Sequence, residues 1–185
     1  TVVNCRFIGS SASGEGGGMY NVNTSSLTVT NCVFSGNSAH RGGGIYSESN
    51  SSPTVTNCTF TDNSGAFGGG MGNELSSSPT VSNCLFSTNV GNGGGMYNDT
   101  SSPTVTNCIF SGNFTPAFAI GGGMRNSFDS NPTVTNCSFS ANSAFIGGGM
   151  LNSVNSSPTV TNCIVWGNSD SGGMDESAQI HTDSG

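Results

Sequence analysis

The heptapeptide TVTNCTF at residues 54–60 has close copies along the chain, among them TVTNCVF at 28–34 and TVTNCIF at 104–110. Copies of this segment begin at Thr1, Thr28, Thr54, Thr80, Thr104, Thr133 and Thr159. The repeat unit is therefore 24–29 residues long. Length varies only before the glycines and in the Ser-rich segment before the next threonine. Because length variation marks loops, the constant segments are expected to form the framework of each unit.

The heptapeptide has the pattern of a short strand with a bend. Val55, Cys58 and Phe60 recur as the same residue types in nearly every copy, whereas Thr59 is replaced by residues from arginine to isoleucine. Because side chains alternate between the two faces of a strand, the recurring residues are expected to face inward. Asn57 interrupts the alternation, and a bend there in the left-handed region, which asparagine tolerates, accounts for this.

The segment GGGM at 68–71 predicts a second inward position in each unit. The inward residues are Met19, Ile45, Met71, Met96, Met124, Met150 and Met174. The residue that follows varies widely and is expected to face outward. These outward residues are Tyr20, Tyr46, Gly72, Tyr97, Arg125, Leu151 and Asp175.

These patterns predict an all-β parallel β-helix. Each unit has about three short strands and no helical periodicity, and stacked coils bury a core that no single coil could bury alone. At the ~4.8 Å spacing of hydrogen-bonded strands, the coils would form a rod roughly 34 Å long. We expect one solenoid domain over residues 1–185, as the repeat region of a longer protein.

Stacking places each residue over its own copy in the next coil. Asn57 is expected to form a hydrogen-bonded ladder with Asn31 and Asn83, which satisfies polar groups at the bend. The cysteines would form one internal column, consisting of Cys5, Cys32, Cys58, Cys84, Cys108, Cys137 and Cys163. We interpret this column as small buried reduced thiols, because stacked Cβ vectors suit a disulfide poorly and a line of cysteines cannot converge on a tetrahedral zinc ion.

Composition narrows the range of partners. Charged residues make up 7% of the chain, lysine is absent and the net charge is −7, which argues against nucleic acid. The apolar runs are too short to cross a bilayer, so this segment is not expected to insert into a membrane. Nothing in the sequence indicates a cofactor.

Two short elements in each unit carry a family resemblance. An F-x-x-N element, as at 60–63, is followed by a G-G-x-[IM] element. This pairing resembles the repeats of the chlamydial polymorphic outer-membrane proteins and of many secreted bacterial right-handed β-helix proteins. The resemblance implies a right-handed coil and a secreted or cell-surface protein that serves as an adhesive or structural rod. We therefore predict a non-enzymatic solenoid whose partner is a glycan, a host or cell surface, or another copy of the chain.

Carboxylates offer the first candidate site. Glu48, Glu74 and Asp99 occupy equivalent positions in coils two, three and four. We interpret them as solvated surface acids and, as a weaker candidate, as a cation site. A polysaccharide-binding or polysaccharide-degrading site is a further alternative, but no basic partner and no aromatic row for a sugar could be placed beside them.

Outward threonines offer a sharper alternative. The two threonines that flank each inward valine would form a flat array with spacings of ~4.8 Å and ~6.7 Å. The array consists of Thr28, Thr30, Thr54, Thr56, Thr80, Thr104, Thr106, Thr133, Thr135, Thr159 and Thr161. It resembles the T-x-T faces of insect antifreeze solenoids, which makes ice binding an alternative function. Threonine is also simply a favourable residue for an exposed strand.

Self-association is the third possibility. The variable loops of coils five and six carry apolar side chains, which would form a contact patch. The patch consists of Phe114, Phe118, Ile120, Phe145 and Ile146. Neither end of the chain shows a cap, so end-to-end stacking into a filament is also expected.

Overall fold

A computed structural model of the protein describes residues 1–116 and 118–183. The chain coils so that each turn contributes one strand to each of three parallel seven-stranded sheets. We call them the threonine, phenylalanine and methionine sheets. The threonine sheet consists of Val2–Val3, Thr28–Thr30, Thr54–Thr56, Thr80–Ser82, Thr104–Thr106, Thr133–Thr135 and Thr159–Thr161. The phenylalanine sheet consists of Arg6–Ile8, Val33–Ser35, Thr59–Thr61, Leu85–Ser87, Ile109–Ser111, Ser138–Ser140 and Ile164–Trp166.

The remaining elements complete each coil. The methionine sheet consists of Met19–Asn21, Ile45–Ser47, Met71–Asn73, Met96–Asp99, Met124–Ser127, Met150–Asn152 and Ile180–Thr182. A short fourth sheet in coils two to four consists of Ser38–Arg41, Ser64–Phe67 and Val90–Asn92. A four-residue helix spans Glu176–Gln179. The prediction of an all-β solenoid with three strands per coil is confirmed, with the fourth sheet as an addition.

Identical side chains stack along the core as predicted. Val55 pairs in register with Val29 and Val81. Phenylalanine rings of successive coils lie face to face, with centroids 4.5–4.9 Å apart. The valine, cysteine, phenylalanine and methionine columns form one buried cluster. Burial of such columns, rather than any single coil, provides the apolar stabilisation of the fold.

The last coil departs from the prediction. Met174 was expected to face inward, but its side chain is 65% exposed. Ile180 takes the inward register position instead and pairs with Met150. The carboxylate of Asp175 accepts hydrogen bonds from the backbone N–H groups of Ser177 and Ala178 and so caps the short helix, which delays the strand by six residues. The strand Ile180–Thr182 therefore completes the seventh coil.

The asparagine at the bend adopts the left-handed conformation, but it does not form the buried ladder. Asn57 has φ = 55°, as predicted, yet its side chain is exposed, as are its counterparts in the other coils. The expectation that Asn31, Asn57 and Asn83 form a ladder of otherwise buried polar groups is therefore wrong, because these side chains are exposed. A hydrogen bond of 3.3 Å from Asn107 to Asn83 is present at this exposed position.

The buried ladder belongs to the asparagine of the F-x-x-N element. Its members are Asn37, Asn63, Asn89, Asn113, Asn142 and Asn168, all of them 0% exposed. The Nδ2 of Asn63 donates to Oδ1 of Asn89 at 2.9 Å, and Asn89 donates in the same way to Asn113. Each Oδ1 also accepts the backbone N–H of the preceding asparagine. These bonds satisfy amides that would otherwise be buried without partners.

Gln179 ends this ladder. Its Oε1 accepts hydrogen bonds from both the backbone N–H and Nδ2 of Asn168, at 3.2 and 3.0 Å. Its Nε2 donates to the carbonyl oxygen of the same residue at 3.0 Å. The expectation that the last coil has no cap is therefore wrong at this corner, because one longer amide side chain takes the place of the next asparagine.

Candidate functional site

The threonine sheet presents the predicted array on a surface that the rest of the chain leaves uncovered. Thr54 is exposed and Thr56 is half-buried, and the same alternation holds in coils two to six. The strands pair in unbroken parallel register, so that Thr80 lies beside Thr54 and Thr104. We call this surface the threonine face. It consists of the eleven threonines predicted from the sequence and, in coil four, Ser82, whose Oγ lies 3.2 Å from Oγ1 of Thr56.

The outer side of the methionine sheet is covered instead of exposed. Tyr46 is 0% exposed, Tyr97 4% and Leu151 1%, so the prediction that these positions face water is wrong. The chain folds over them: the Phe67 ring lies 5.3 Å from that of Tyr97. A Cβ at Gly72 would lie 3.1 Å from the Tyr46 ring, which shows how closely this second layer is packed.

Tyrosine, arginine and carboxylate side chains meet in this outer layer. Glu48 accepts hydrogen bonds from the hydroxyls of Tyr20 and of Tyr46. Arg41 donates to the Tyr46 hydroxyl at 3.4 Å, and the same Nη1 lies 3.4 Å from the Glu74 carboxylate. We call these residues, together with the pair described next, the outer polar row.

The second group of the outer polar row is centred on Tyr97, in coil four. The Tyr97 hydroxyl donates to the Asp99 carboxylate at 2.9 Å, and the Arg125 guanidinium lies 5.3 Å from the Tyr97 ring centroid. The expectation that the acids have no basic or aromatic neighbours is therefore wrong. Arg41 meets Glu74 of the next coil, and Arg125 meets Tyr97 of the preceding coil, because consecutive coils stack in register.

Burial and hydrogen bonding set the electrostatics of the outer polar row. The hydrogen bond to Glu48 raises the pKa of Tyr20 to about 12. Burial raises the pKa of Tyr46 and of Tyr97. Burial also raises the pKa of the Glu74 carboxyl above its ordinary value, although Arg41 opposes this. The tyrosines therefore stay neutral and act as hydrogen-bond donors to the acids.

The carboxylates of this row have hydrogen-bond or ion-pair partners within the chain. Glu48 accepts hydrogen bonds from two tyrosine hydroxyls, Glu74 pairs with Arg41, and Asp99 accepts a hydrogen bond from Tyr97. Within residues 1–116 and 118–183, no three histidine, cysteine or acidic side chains are grouped so that they could hold a metal ion. Glu48, Glu74 and Asp99 thus take part in hydrogen bonds and ion pairs with the chain itself, and their role as a cation site stays a prediction.

The sequence contained a signal for the row that was missed. Tyrosine follows the inward residue in coils one, two and four, and in YSE (46–48) and YND (97–99) an acid follows two residues later. In a strand, residues two apart lie on the same face, so this spacing places each hydroxyl beside its carboxylate.

The predicted apolar patch is partly assembled. The rings of Phe118 and Phe145 meet edge to face with centroids 5.5 Å apart, and these side chains are 80% and 42% exposed. Phe114 is also exposed, whereas Ile120 and Ile146 are half-buried. A groove of about 320 Å³ lies beside the two rings and is lined in part by Pro116, Ser143 and Asp170.

Comparison with known proteins places the chain in a family. A family model described as "Right handed beta helix region" matches residues 1–86 and 65–183. No curated protein and no solved structure gives a significant match. Among the described residues, no helix has the length and apolar character needed to cross a membrane. Since the family matches cover most of the sequence and the coiled parallel sheets agree with them, the chain belongs to the right-handed β-helix family.

Proposed function

We propose that the chain is a non-enzymatic adhesive rod, secreted or displayed at a cell surface, which contacts glycans through its threonine face. The observation that carries the proposal is the difference between the sheets. The methionine sheet is covered by a second layer, whereas the threonine sheet keeps a regular and uncovered surface along coils two to seven. Hydroxyl and methyl groups at fixed intervals suit the alternating polar and apolar surface of a polysaccharide.

Two further points support this proposal. The F-x-x-N and G-G-x-[IM] elements resemble those of the chlamydial polymorphic outer-membrane proteins, which favours an extracellular or surface location. The acids of the outer polar row are engaged by tyrosines and Arg41, which favours a structural role for them over that of a catalytic pair. The lack of enzymatic activity is part of the proposal, since the family comprises both enzymes and proteins without activity.

Binding to immobilised polysaccharides tests the proposal. The unmodified chain is expected to be retained on at least one member of a panel of insoluble plant, fungal and bacterial polysaccharides. Thr106→Tyr places a ring on the threonine face and should abolish retention. Ser111→Tyr adds the same ring to the outer side of the phenylalanine sheet and should leave retention unchanged. Failure of the unmodified chain to bind any polysaccharide, or equal loss in both variants, would contradict the proposed role of the face.

Ice binding is a second candidate, favoured by the register of the array. Two hydroxyl columns run along six strands of the threonine sheet, from Thr28–Thr30 to Thr159–Thr161, without a bulge. This gives the regular two-dimensional spacing that a crystal lattice requires. Thermal hysteresis of the unmodified chain, and its loss in Thr106→Tyr, is the expected result. An unmodified chain without hysteresis at high concentration would remove this candidate.

We also propose that copies of the chain stack end to end into a filament. In the first and last coils, the strands of the threonine and phenylalanine sheets have a neighbour on one side only. Such edges pair readily with another chain. Light scattering of the 185-residue chain should show mass growing with concentration, and a constant monomer mass would contradict the filament.

A further inference from the structure

The sulfurs of the cysteine column are regularly spaced, and core packing alone does not require this spacing. Cys32, Cys58, Cys84, Cys108 and Cys137 are free thiols, each 1–3% exposed, in successive coils. Their strands are in register, so neighbouring sulfurs repeat at about the ~4.8 Å spacing of paired strands. That spacing is close to twice a metal–sulfur bond of ~2.3 Å. Each interval can therefore hold one ion between two sulfurs.

A backbone N–H group donates to each sulfur of the column from the second coil onward. The N–H of Cys58 points at Sγ of Cys84 at 3.4 Å, and the N–H of Cys108 points at Sγ of Cys137 at the same distance. The same contact is present in all four remaining intervals of the column. A donor fixed beside sulfur stabilises the thiolate, which is the form that binds metals.

Two surface grooves lie beside two intervals of the column. One groove of about 350 Å³ is lined by Cys58 and Cys84 together with the exposed turns at Asn57 and Asn83. A second groove of about 300 Å³ is lined by Cys108 and Cys137 and the turns at their sides. The thiols thus lie directly beneath the bend asparagines, at the corner between the threonine and phenylalanine sheets. Each groove therefore lies against one pair of these buried cysteines.

We propose that the pairs Cys58–Cys84 and Cys108–Cys137 each bind one soft monovalent cation of the Cu⁺ type in linear two-sulfur coordination. On binding, two S–H bonds break, two sulfur–metal bonds form and two protons pass to solvent. No electron is transferred. Each thiol also gives up its hydrogen bond to the threonine or serine carbonyl two residues earlier, which is 3.2–3.3 Å long in the free chain.

The arrangement of the sulfurs in pairs favours Cu⁺ over Zn²⁺. Soft thiolate ligands favour Cu⁺ among the common biological metals. Zn²⁺ needs four ligands in a tetrahedron, and the column offers only two sulfurs on one line at each interval. Within the described parts of the chain, no three histidine, cysteine or acidic side chains converge so that they could hold a metal ion. Cu⁺ binding with discrimination against Zn²⁺ is therefore expected.

The test compares two variants that keep the same number of thiols. The contiguous variant carries Cys5→Ala, Cys32→Ala and Cys163→Ala and keeps both proposed pairs. The alternating variant carries Cys32→Ala, Cys84→Ala and Cys137→Ala and keeps four cysteines of which none are neighbours. The reduced proteins are titrated with Cu⁺ without oxygen, in competition with a chromogenic Cu⁺ chelator. Circular dichroism confirms that each variant is folded.

The contiguous variant should take two Cu⁺ ions per chain from the chelator, and the alternating variant none. Adding Cys84→Ala to the contiguous variant should lower the number from two to one, which keeps the test decisive if the alternating variant does not fold. Bound Cu⁺ should raise the melting temperature, because the sites exist only in the folded chain. Equal binding by both variants, binding that unfolds the protein, or equally tight binding of Zn²⁺ would overturn the proposal.

Discussion

Replacement of Asn89 by alanine should test the buried asparagine ladder most directly. Asn89 is 0% exposed. Its Oδ1 accepts from the backbone N–H and from Nδ2 of Asn63, at 3.1 and 2.9 Å. Its Nδ2 donates to the carbonyl oxygen of Phe60 and to Oδ1 of Asn113, at 3.0 and 2.9 Å. The substitution therefore breaks four hydrogen bonds at a fully buried position.

The magnitude follows from the groups left without partners. Two donor hydrogens on Asn63 lose their acceptor, and each buried unsatisfied group costs about 1–3 kcal/mol. Asn89→Ala should thus lower the free energy of unfolding by roughly 4 kcal/mol. Asn83→Ala is the matched control, because this asparagine is exposed at φ = 54°. Its loss should cost only about 1 kcal/mol, from left-handed backbone strain.

Urea denaturation followed by circular dichroism measures both effects. The midpoint should fall much further for Asn89→Ala than for Asn83→Ala, while the slope of the free energy with urea stays the same. Equal costs for the two alanine variants would refute the argument that ladder depth decides the energy. A cost confined to Asn83→Ala would show that the bend, and not the F-x-x-N element, carries the polar stabilisation.

Three further changes test other parts of the fold. Phe86→Ala should lower the free energy of unfolding by ~3–5 kcal/mol in the same urea assay, since its ring stacks between two others; a cost below ~1 kcal/mol would contradict the buried column. Gly70→Ala should also destabilise the fold, because a Cβ there would lie 2.6 Å from the Gly95 carbonyl oxygen; an unchanged melting temperature would contradict that close approach. Burial raises the pKa of Glu74 above 4.5, so its contribution to stability is present below the unfolded pKa and is lost as pH rises toward the folded pKa. Glu74→Gln should remove this loss, and urea midpoints measured from about pH 4 to about pH 7 should then fall less with pH than in the unmodified chain.

Much of the framework could be predicted from the repeat alone. Alternation within TVTNCTF identified Val55, Cys58 and Phe60 as inward residues, because a strand places alternate side chains on opposite faces. The left-handed bend at Asn57 also followed, since local sterics and a short polar side chain determine it. The threonine face followed from the same alternation, and its binding role stays a prediction.

Only the tertiary structure decided how deep each residue lies and what covers it. Two asparagines recur in coils two to seven, and nothing in the local pattern distinguishes the exposed one at the bend from the buried one of the F-x-x-N element. The burial of Tyr46 depends on Arg41 and on a fourth sheet that forms only between coils. Ile180 replaces Met174 because a short helix changes the spacing. Strand periodicity is a local property of the sequence, whereas burial depends on contacts between residues that are a whole coil apart.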